Sequence, residues 1–347
     1  MNSLGVLKSI TGDKGIDSSV ADAFNDVSGF IDGGLLEVEK RFSRYFSEAT
    51  FPVDEIAKYT ISAGGKRIRP SLTLISSRIS LNSDIEKPLP VELALVLEML
   101  HNATLLHDDV IDEGDMRRGK PAARKVWSNA LSILGGDFML MKCIESISRL
   151  DSSYMTLFVE TLKLLVNGEI VQLSLREKIG TTVDDYFKIV SGKTSSLFKF
   201  ATSSGAMWSG LSQKNCDAMG LFGENIGMAF QLIDDVLDFS SDSHNLGKNM
   251  LADISQGKLT LPLIEASKKS YEINILLRQL IDGASPSVTA SKISDIVNSC
   301  GALQNVKKRA EMFTKVAVRA LDEIETPNPQ IVLLLKELAN VLLHRTK

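Results

Sequence analysis

Residues 101–121 read His-Asn-Ala-Thr-Leu-Leu-His-Asp-Asp-Val-Ile-Asp-Glu-Gly-Asp-Met-Arg-Arg-Gly-Lys-Pro and carry an apolar helix into a charged loop. The apolar run starts at Val91 and reaches Leu106. Asp108 and Asp112 are four apart, so on a helix they stack on one face, with Asp109 about 100° round from Asp108. Carboxylates crowded into one helical turn repel each other unless a cation neutralises them. Hard Mg²⁺ takes carboxylate oxygens, usually one or two of them together with substrate phosphates. The next loop supplies Arg117 and Arg118, whose guanidinium forks match phosphate oxygens. Acid, metal and arginine converge on one ligand type, a diphosphate.

One such acidic triplet is common on solvated helix ends; a second copy changes its meaning. Residues 231–239 read Gln-Leu-Ile-Asp-Asp-Val-Leu-Asp-Phe, again at the polar end of an apolar run, Leu221 to Ile233. Asp234, Asp235 and Asp238 repeat the spacing of Asp108, Asp109 and Asp112, with an aliphatic pair between the acids in both. Two like helix ends facing each other across a cleft would hold a cluster of divalent ions.

Composition sets the frame. With 347 residues the chain is long enough for two average domains, although length alone does not decide the count. A net charge of −4 with no basic tract argues against a nucleic-acid partner. Cys143, Cys216 and Cys300 are odd in number and far apart, which points to a reducing compartment and no zinc site. No apolar run is long enough to span a bilayer; Ile133 to Ile144 is broken by Asp137 and Lys142. The first 40 residues lack a secretory apolar core and carry acids with no Arg before Arg41, so a cytoplasmic location is expected.

Periodicity predicts helices almost throughout. After a loose arm over residues 1–18, helical patterns cover Ser19 to Ile31, Leu35 to Phe46 and Ala57 to Ile79, the last interrupted by Gly64-Gly65. Val91 to Asp112, Ala122 to Leu150, Tyr154 to Arg176, Val183 to Ala206 and Lys214 to Asp238 follow. Further patterns run over Leu261 to Leu280, Val288 to Ser299, Ala302 to Ile324 and Gln330 to His344. The expected fold is all-α, a bundle of ten or more helices in one domain over residues 19–347.

Other polar groups cluster by sequence. Gly64-Gly65-Lys66-Arg67-Ile68-Arg69-Pro70 is a turn with three cations in four residues, able to grip a second diphosphate without metal. Taken alone it would be a basic surface turn. His101 lies about two turns below Asp108 on a similar face. A histidine there is ordinarily a satisfied core residue, with donation to a buried phosphate as the alternative. Gly192-Lys193-Thr194 is no phosphate loop, because Phe187 stands where the first Gly is required and no strand precedes it.

These motifs together resemble the trans-isoprenyl diphosphate synthases, of the long-chain type such as octaprenyl or solanesyl diphosphate synthase. The similarity runs from about residue 50 to 265. It rests on Gly64-Gly65-Lys66-Arg67-x-Arg69-Pro70, Asp108-Asp109-x-x-Asp112 with Arg117-Arg118-Gly119, and Gly136-Asp137-Phe138. Gly168-Glu169 with Gln172, Lys193-Thr194, Gln231-x-x-Asp234-Asp235-x-x-Asp238, Gly247-Lys248 and Asp253-x-x-x-Gly257-Lys258-x-Thr260-Leu261-Pro262 complete the set. Lys248-Asn249 departs from relatives that have Pro after the Lys.

The resemblance implies helices around a central cavity, a homodimer, and Mg²⁺ as cofactor, three ions with substrate bound. By the same resemblance, Asp108, Asp112, Asp234 and Asp238 would hold metal, with Asp109 and Asp235 supporting. Arg117, Lys193, Thr194, Gln231, Lys248 and Lys258 would bind the allylic substrate, farnesyl or geranylgeranyl diphosphate. Isopentenyl diphosphate would sit on Lys66, Arg69, His101 and Arg118. Ala103 and Thr104, one turn below Asp108, are small where short-product relatives carry an aromatic ring. With Leu100 deeper and Phe158 as a lower floor, a product near forty carbons is expected. Competing readings are a geranylgeranyl diphosphate synthase, the catalytic subunit of a heteromeric synthase, and a class I terpene cyclase. The cyclase would not need the Lys66–Arg69 cluster.

Overall fold

The structure, a computed structural model, describes residues 18–47, 49–80, 90–176, 178–239, 257–281 and 286–345. Helix α1 spans Ser18–Phe46, α2 Val53–Ser62, α3 Ile68–Ser76 and α4 Val91–Ile111. A short hairpin, β1 Met116–Arg117 and β2 Lys120–Pro121, leads to α5 Ala123–Val126, α6 Asn129–Ile147 and α7 Ser152–Ser174. Helix α8, Val183–Val190, passes through a π-helical turn, Ser191–Ser195, into α9, Ser196–Ser209, and α10 covers Gln213–Leu237. The remainder is α11 Leu261–Lys269, α12 Tyr271–Ile281, α13 Pro286–Ser299, α14 Ala302–Asp322 and α15 Pro329–His344. The all-α expectation holds. Among the described residues no helix is long and apolar enough to cross a membrane.

Helix α4 is the centre of the bundle. Val91 and Leu93 to Leu100 are all buried, so the helix is apolar all round rather than striped, as a fully enclosed helix must be. It packs against α1, α3, α6 and α9. Helix α1 shows the opposite pattern: Ile31, Leu35, Val38, Phe42 and Phe46 form one buried stripe at three- and four-residue spacing. That stripe continues past Gly33-Gly34, which explains why α1 is one helix where two separate patterns were predicted. Helix α10 lies against α9 and α14 and forms the second long axis.

Three other predicted runs break, each for a local reason. Ala122 to Leu150 is two helices, because Ser128 is extended and its hydroxyl accepts from the Leu131 N–H at 3.1 Å, capping a new start. Leu261 to Leu280 divides at Ser270, whose extended backbone ends α11. Val183 to Ala206 is interrupted by the π-turn, which no periodicity reveals. The predicted arm lies, apart from Ser18, outside the described residues.

Candidate active site

Both aspartate motifs stand at helix C-termini. Asp112 closes α4 and donates its N–H to the Asp108 carbonyl at 2.8 Å; Asp238 closes α10 and donates to Asp234 at 3.0 Å. A helix C-terminus carries negative partial charge, so carboxylates placed there are disfavoured unless cations join them. Burial compounds the penalty. It raises the Asp108 and Asp234 pKa values above the ordinary carboxylate level, and the nearby cations only partly oppose it.

Every first-motif carboxylate meets a cation. Asp108 lies 3.5 Å from the Lys193 ammonium, which also pairs with Glu169 of α7. Burial alone would lower the Lys193 pKa, but Asp108 and Glu169 outweigh it and hold it above the usual lysine value. Asp109 is buried and takes Arg117 through two nitrogens, at 2.9 and 2.5 Å. Asp112 receives Arg176 on one oxygen at 2.5 Å and Lys258 on the other. In the second motif, Arg345 reaches Asp234 at 2.5 Å, donates to the Phe230 carbonyl at 2.8 Å and lies over the Phe230 ring. Asp235 accepts from the Tyr186 hydroxyl at 2.6 Å and from Gln231 at 2.9 Å, and Thr194 fixes Gln231 from behind at 2.8 Å.

The π-turn puts Lys193 and Thr194 in reach of these groups. It crosses α7 so closely that a Cβ on Gly192 would come 2.6 Å from the Leu164 carbonyl oxygen and 2.8 Å from the Gly168 Cα. Only glycine at both positions allows that approach. A cavity of about 210 Å³ reaches the second motif at Asp235 and is also lined by Gln172, Lys193, Thr194, Gln231 and Lys258, of which Lys193 and Lys258 pair with the first motif.

A second cationic pole lies beside α4. Arg67 has a left-handed backbone, and its side chain is buried in an ion pair with Glu98. Through that pair α4 anchors the turn that carries Lys66 and Arg69, and Asn102 donates to the same Glu98 carboxylate at 3.4 Å. Arg69 lies over the Phe198 ring, 5.1 Å from its centre, and its buried Nε has no hydrogen-bond partner among the described residues. Lys66 stands near Asp234 and Arg345, and burial lowers its pKa. His101 is held neutral, far below the usual imidazole pKa, first by burial and then by Arg69, Arg118 and Arg117.

The hairpin explains how two neighbouring arginines serve two poles. Arg118 and Gly119 both have positive φ, +50° and +76°, forming a tight two-residue turn. Arg117 therefore points to Asp109 while Arg118 donates to the Gly64 carbonyl. A Cβ on Gly65 would lie 3.2 Å from that guanidinium.

The structure thus brings together Asp108, Asp109 and Asp112 with Arg117, Lys193 and Lys258, and separately Asp234 with Lys66. Lys248 lies outside the described residues. Ala103, Leu100 and Phe158 are buried in the main core, and the Thr104 hydroxyl bonds back to the His101 carbonyl. Phe158 meets Phe200 edge to face, centroids 6.2 Å apart. Helices α4 and α7 each pack on α9 but are not among the closely packed helix pairs. Sequence reasoning missed Arg176, Arg345, Tyr186 and the Arg67–Glu98 pair. Only Glu98 left a signal, an acid inside an apolar run.

Among the described residues no three acidic, histidine or cysteine side chains stand close enough together to hold a metal by themselves. The donor set nevertheless fits Mg²⁺. It offers hard carboxylate oxygens at Asp108, Asp112 and Asp234, and Mg²⁺ needs only one or two of them when phosphates supply the rest.

Residues 52–299 match the family model described as polyprenyl synthetase. The chain is 36% identical over 273 residues to an all-trans-nonaprenyl-diphosphate synthase (geranyl-diphosphate specific) of Rhodobacter capsulatus, covering 78% of this chain and 82% of that one. It is 34% identical over 278 residues to the octaprenyl diphosphate synthase of Escherichia coli, covering 79% and 85%. A crystal structure of a polyprenyl synthase from Caulobacter crescentus, complexed with calcium and isoprenyl diphosphate, superposes with a TM-score of 0.83 at 27% identity, covering 94% of this chain and 98% of that one.

Proposed function

The chain belongs to the polyprenyl synthetase family, and from that premise we propose that it is a trans-prenyltransferase that condenses isopentenyl diphosphate with farnesyl or geranylgeranyl diphosphate. The observation that carries this reading is the pairing of two acidic helix ends with a cationic pole, Lys66, Arg69 and Arg118, beside the second of them. One pole suits a diphosphate that leaves, the other a diphosphate that is kept. Asp108, Asp112, Asp234 and Asp238 would hold Mg²⁺, three ions with substrate bound, and these would supply positive charge to the allylic diphosphate. Lys193, Arg117 and Lys258 grip that diphosphate and stabilise the charge it gains as its C–O bond breaks. Thr194 and Gln231 hold the cavity wall, and Lys248 belongs to the same proposed substrate-binding set.

Lys66, Arg69, Arg118 and neutral His101 fix isopentenyl diphosphate so that its double bond faces the allylic carbon. That bond attacks the carbon, the new C–C bond forms, and a proton leaves the former isopentenyl unit for the departed diphosphate. The buried Arg69 Nε without a protein partner supports an anion at this pole. Ala103 and Thr104 are small side chains one turn below Asp108, so a growing chain would pass them toward Leu100 and Phe158, parting core contacts as it enters. The product is therefore long-chain, near forty carbons.

A second copy of the chain covers the outer face of α6 and α7. Leu134, Met141 and Ile144 of α6 and Val159, Val166 and Ile170 of α7 are all exposed there. So broad an apolar face suits a permanent partner better than water. The test is incubation with Mg²⁺, labelled isopentenyl diphosphate and farnesyl diphosphate, followed by sizing of the product. A ladder ending near forty carbons is expected. A product stopping at fifteen or twenty refutes the chain-length reading, and no elongation at all refutes the reaction.

A further inference from the structure

Arg176 belongs to none of the motifs in the sequence, yet it stands at the first aspartate motif. It follows the C-terminal end of α7, and one terminal nitrogen lies 2.5 Å from Asp112 Oδ1. The other donates to the Ile111 carbonyl oxygen at 3.3 Å. The second oxygen of Asp112 is occupied by Lys258, so a carboxylate that is only 6% exposed carries two cations. One carboxylate balances one of them. The other offsets Glu169, which shares Lys193 with Asp108, so three acids and three cations balance here.

We propose that Arg176 is a diphosphate-binding residue of the allylic pole, resting on Asp112 and turning to the substrate's phosphate oxygens when it binds. The proposal builds on the assignment of the Asp108–Asp112 rim to the allylic diphosphate. Three features favour this over a clasp between two helix ends. The Arg176 side chain is 30% exposed, so it is not sealed between the two helix ends. Its bond to the Ile111 carbonyl gives it a pivot, so a rotation of the guanidinium alone redirects it. A hard cation arriving on Asp112 needs one of its oxygens, and then one of the two resident side chains must let go. A planar fork freed beside a diphosphate finds two oxygens at matching separation.

The experiment uses the intact protein and two readouts, calorimetric binding of inorganic diphosphate with and without Mg²⁺, and separate KM values for farnesyl and isopentenyl diphosphate. Arg176→Gln should weaken diphosphate binding and raise the KM for farnesyl diphosphate by about 10- to 100-fold, the worth of one or two charged hydrogen bonds. The KM for isopentenyl diphosphate should stay within about twofold, since that substrate meets other cations. Arg176→Lys keeps a charge for Asp112 but loses the fork, so it should recover only part of the affinity. It also carries the test if Arg176→Gln folds poorly. Lys258→Gln serves as the reference for the pole itself. If Lys258→Gln raises the farnesyl diphosphate KM and the Arg176 variants change neither that KM nor diphosphate binding, the Arg176 proposal is overturned alone. If none of them changes it, the assignment of the rim falls and the proposal with it.

Discussion

Replacing Gly192 with Ala tests whether the crossing of the π-turn and α7 sets the position of Lys193. The added Cβ would lie 2.6 Å from the Leu164 carbonyl oxygen and 2.8 Å from the Gly168 Cα, and both are backbone atoms inside a helix. Comfortable carbon contacts are near 3.5 Å, so the two segments must part by roughly 0.7–1 Å. Overpacking of this kind costs about 1–3 kcal/mol. For 347 residues, unfolding entropy of about 2.1 cal/mol/K per residue gives roughly 0.7 kcal/mol/K, so Tm should fall by roughly 1.5–4 °C. Lys193 travels with its neighbour, away from Glu169 and Asp108, and a displacement near 1 Å at the chemistry costs about a hundredfold. The loss in kcat should therefore far exceed what the small loss of stability would suggest. Melting curves and steady-state kcat with farnesyl and isopentenyl diphosphate in Mg²⁺ measure both. A Gly192→Ala protein whose Tm stays within about 1 °C and whose kcat stays within about twofold would refute the reasoning.

Asp108→Asn should cut turnover by several orders of magnitude, yet raise the Tm of metal-free protein at neutral pH. Burial lifts the Asp108 pKa above its unfolded value of 3.8, so the ionised group costs stability above that pH. The advantage of the variant should accordingly vanish as pH falls below that value, and a variant less stable than wild type at pH 7 would contradict this. Lys66→Ala and Arg69→Ala should raise the KM for isopentenyl diphosphate far more than that for the primer; an effect confined to the primer means the two poles are reversed. Ala103→Tyr should shorten the product to fifteen or twenty carbons and Phe158→Ala should lengthen it, with an unchanged distribution in the tyrosine variant counting against the open passage below Asp108.

The residues that the sequence made legible are those whose role depends on local spacing. Asp108 and Asp112 share a face because they are four apart on one helix, and the same count fixes Asp234 and Asp238. The cations of residues 66–69 are legible because a Gly-Gly turn must present them together. Arg176 and Arg345 are not legible in this way. Each reaches its aspartate from a distant part of the chain, Arg176 from 64 residues away and Arg345 from the far side of α15. The π-turn is equally hidden, because its cause is the mutual approach of Gly192 and Gly168, two glycines 24 positions apart in sequence. The break before α6 was within reach, since Ser128 is a good N-cap, but the apolar pattern on either side masked it.

What unites the legible and hidden residues is charge. Neighbouring carboxylates on one helical face are about 5–6 Å apart, and at an effective dielectric of about 20 each such pair repels by roughly 3 kcal/mol. A cation at 3.5 Å, the Lys193–Asp108 distance, returns roughly 5 kcal/mol on the same scale, enough to offset more than one such repulsion. A resident cation on each acid of the first motif and on Asp234 therefore keeps these helix ends tolerable where the backbone also opposes them. The substrate and its counter-ions then exchange with those side chains instead of adding to them. On the proposed reading, a cation arriving on Asp112 would displace Arg176 or Lys258, which would then turn to the incoming phosphate. Departure of diphosphate leaves each carboxylate within reach of the same side chain that held it before, and the site returns to a neutralised state ready for the next addition.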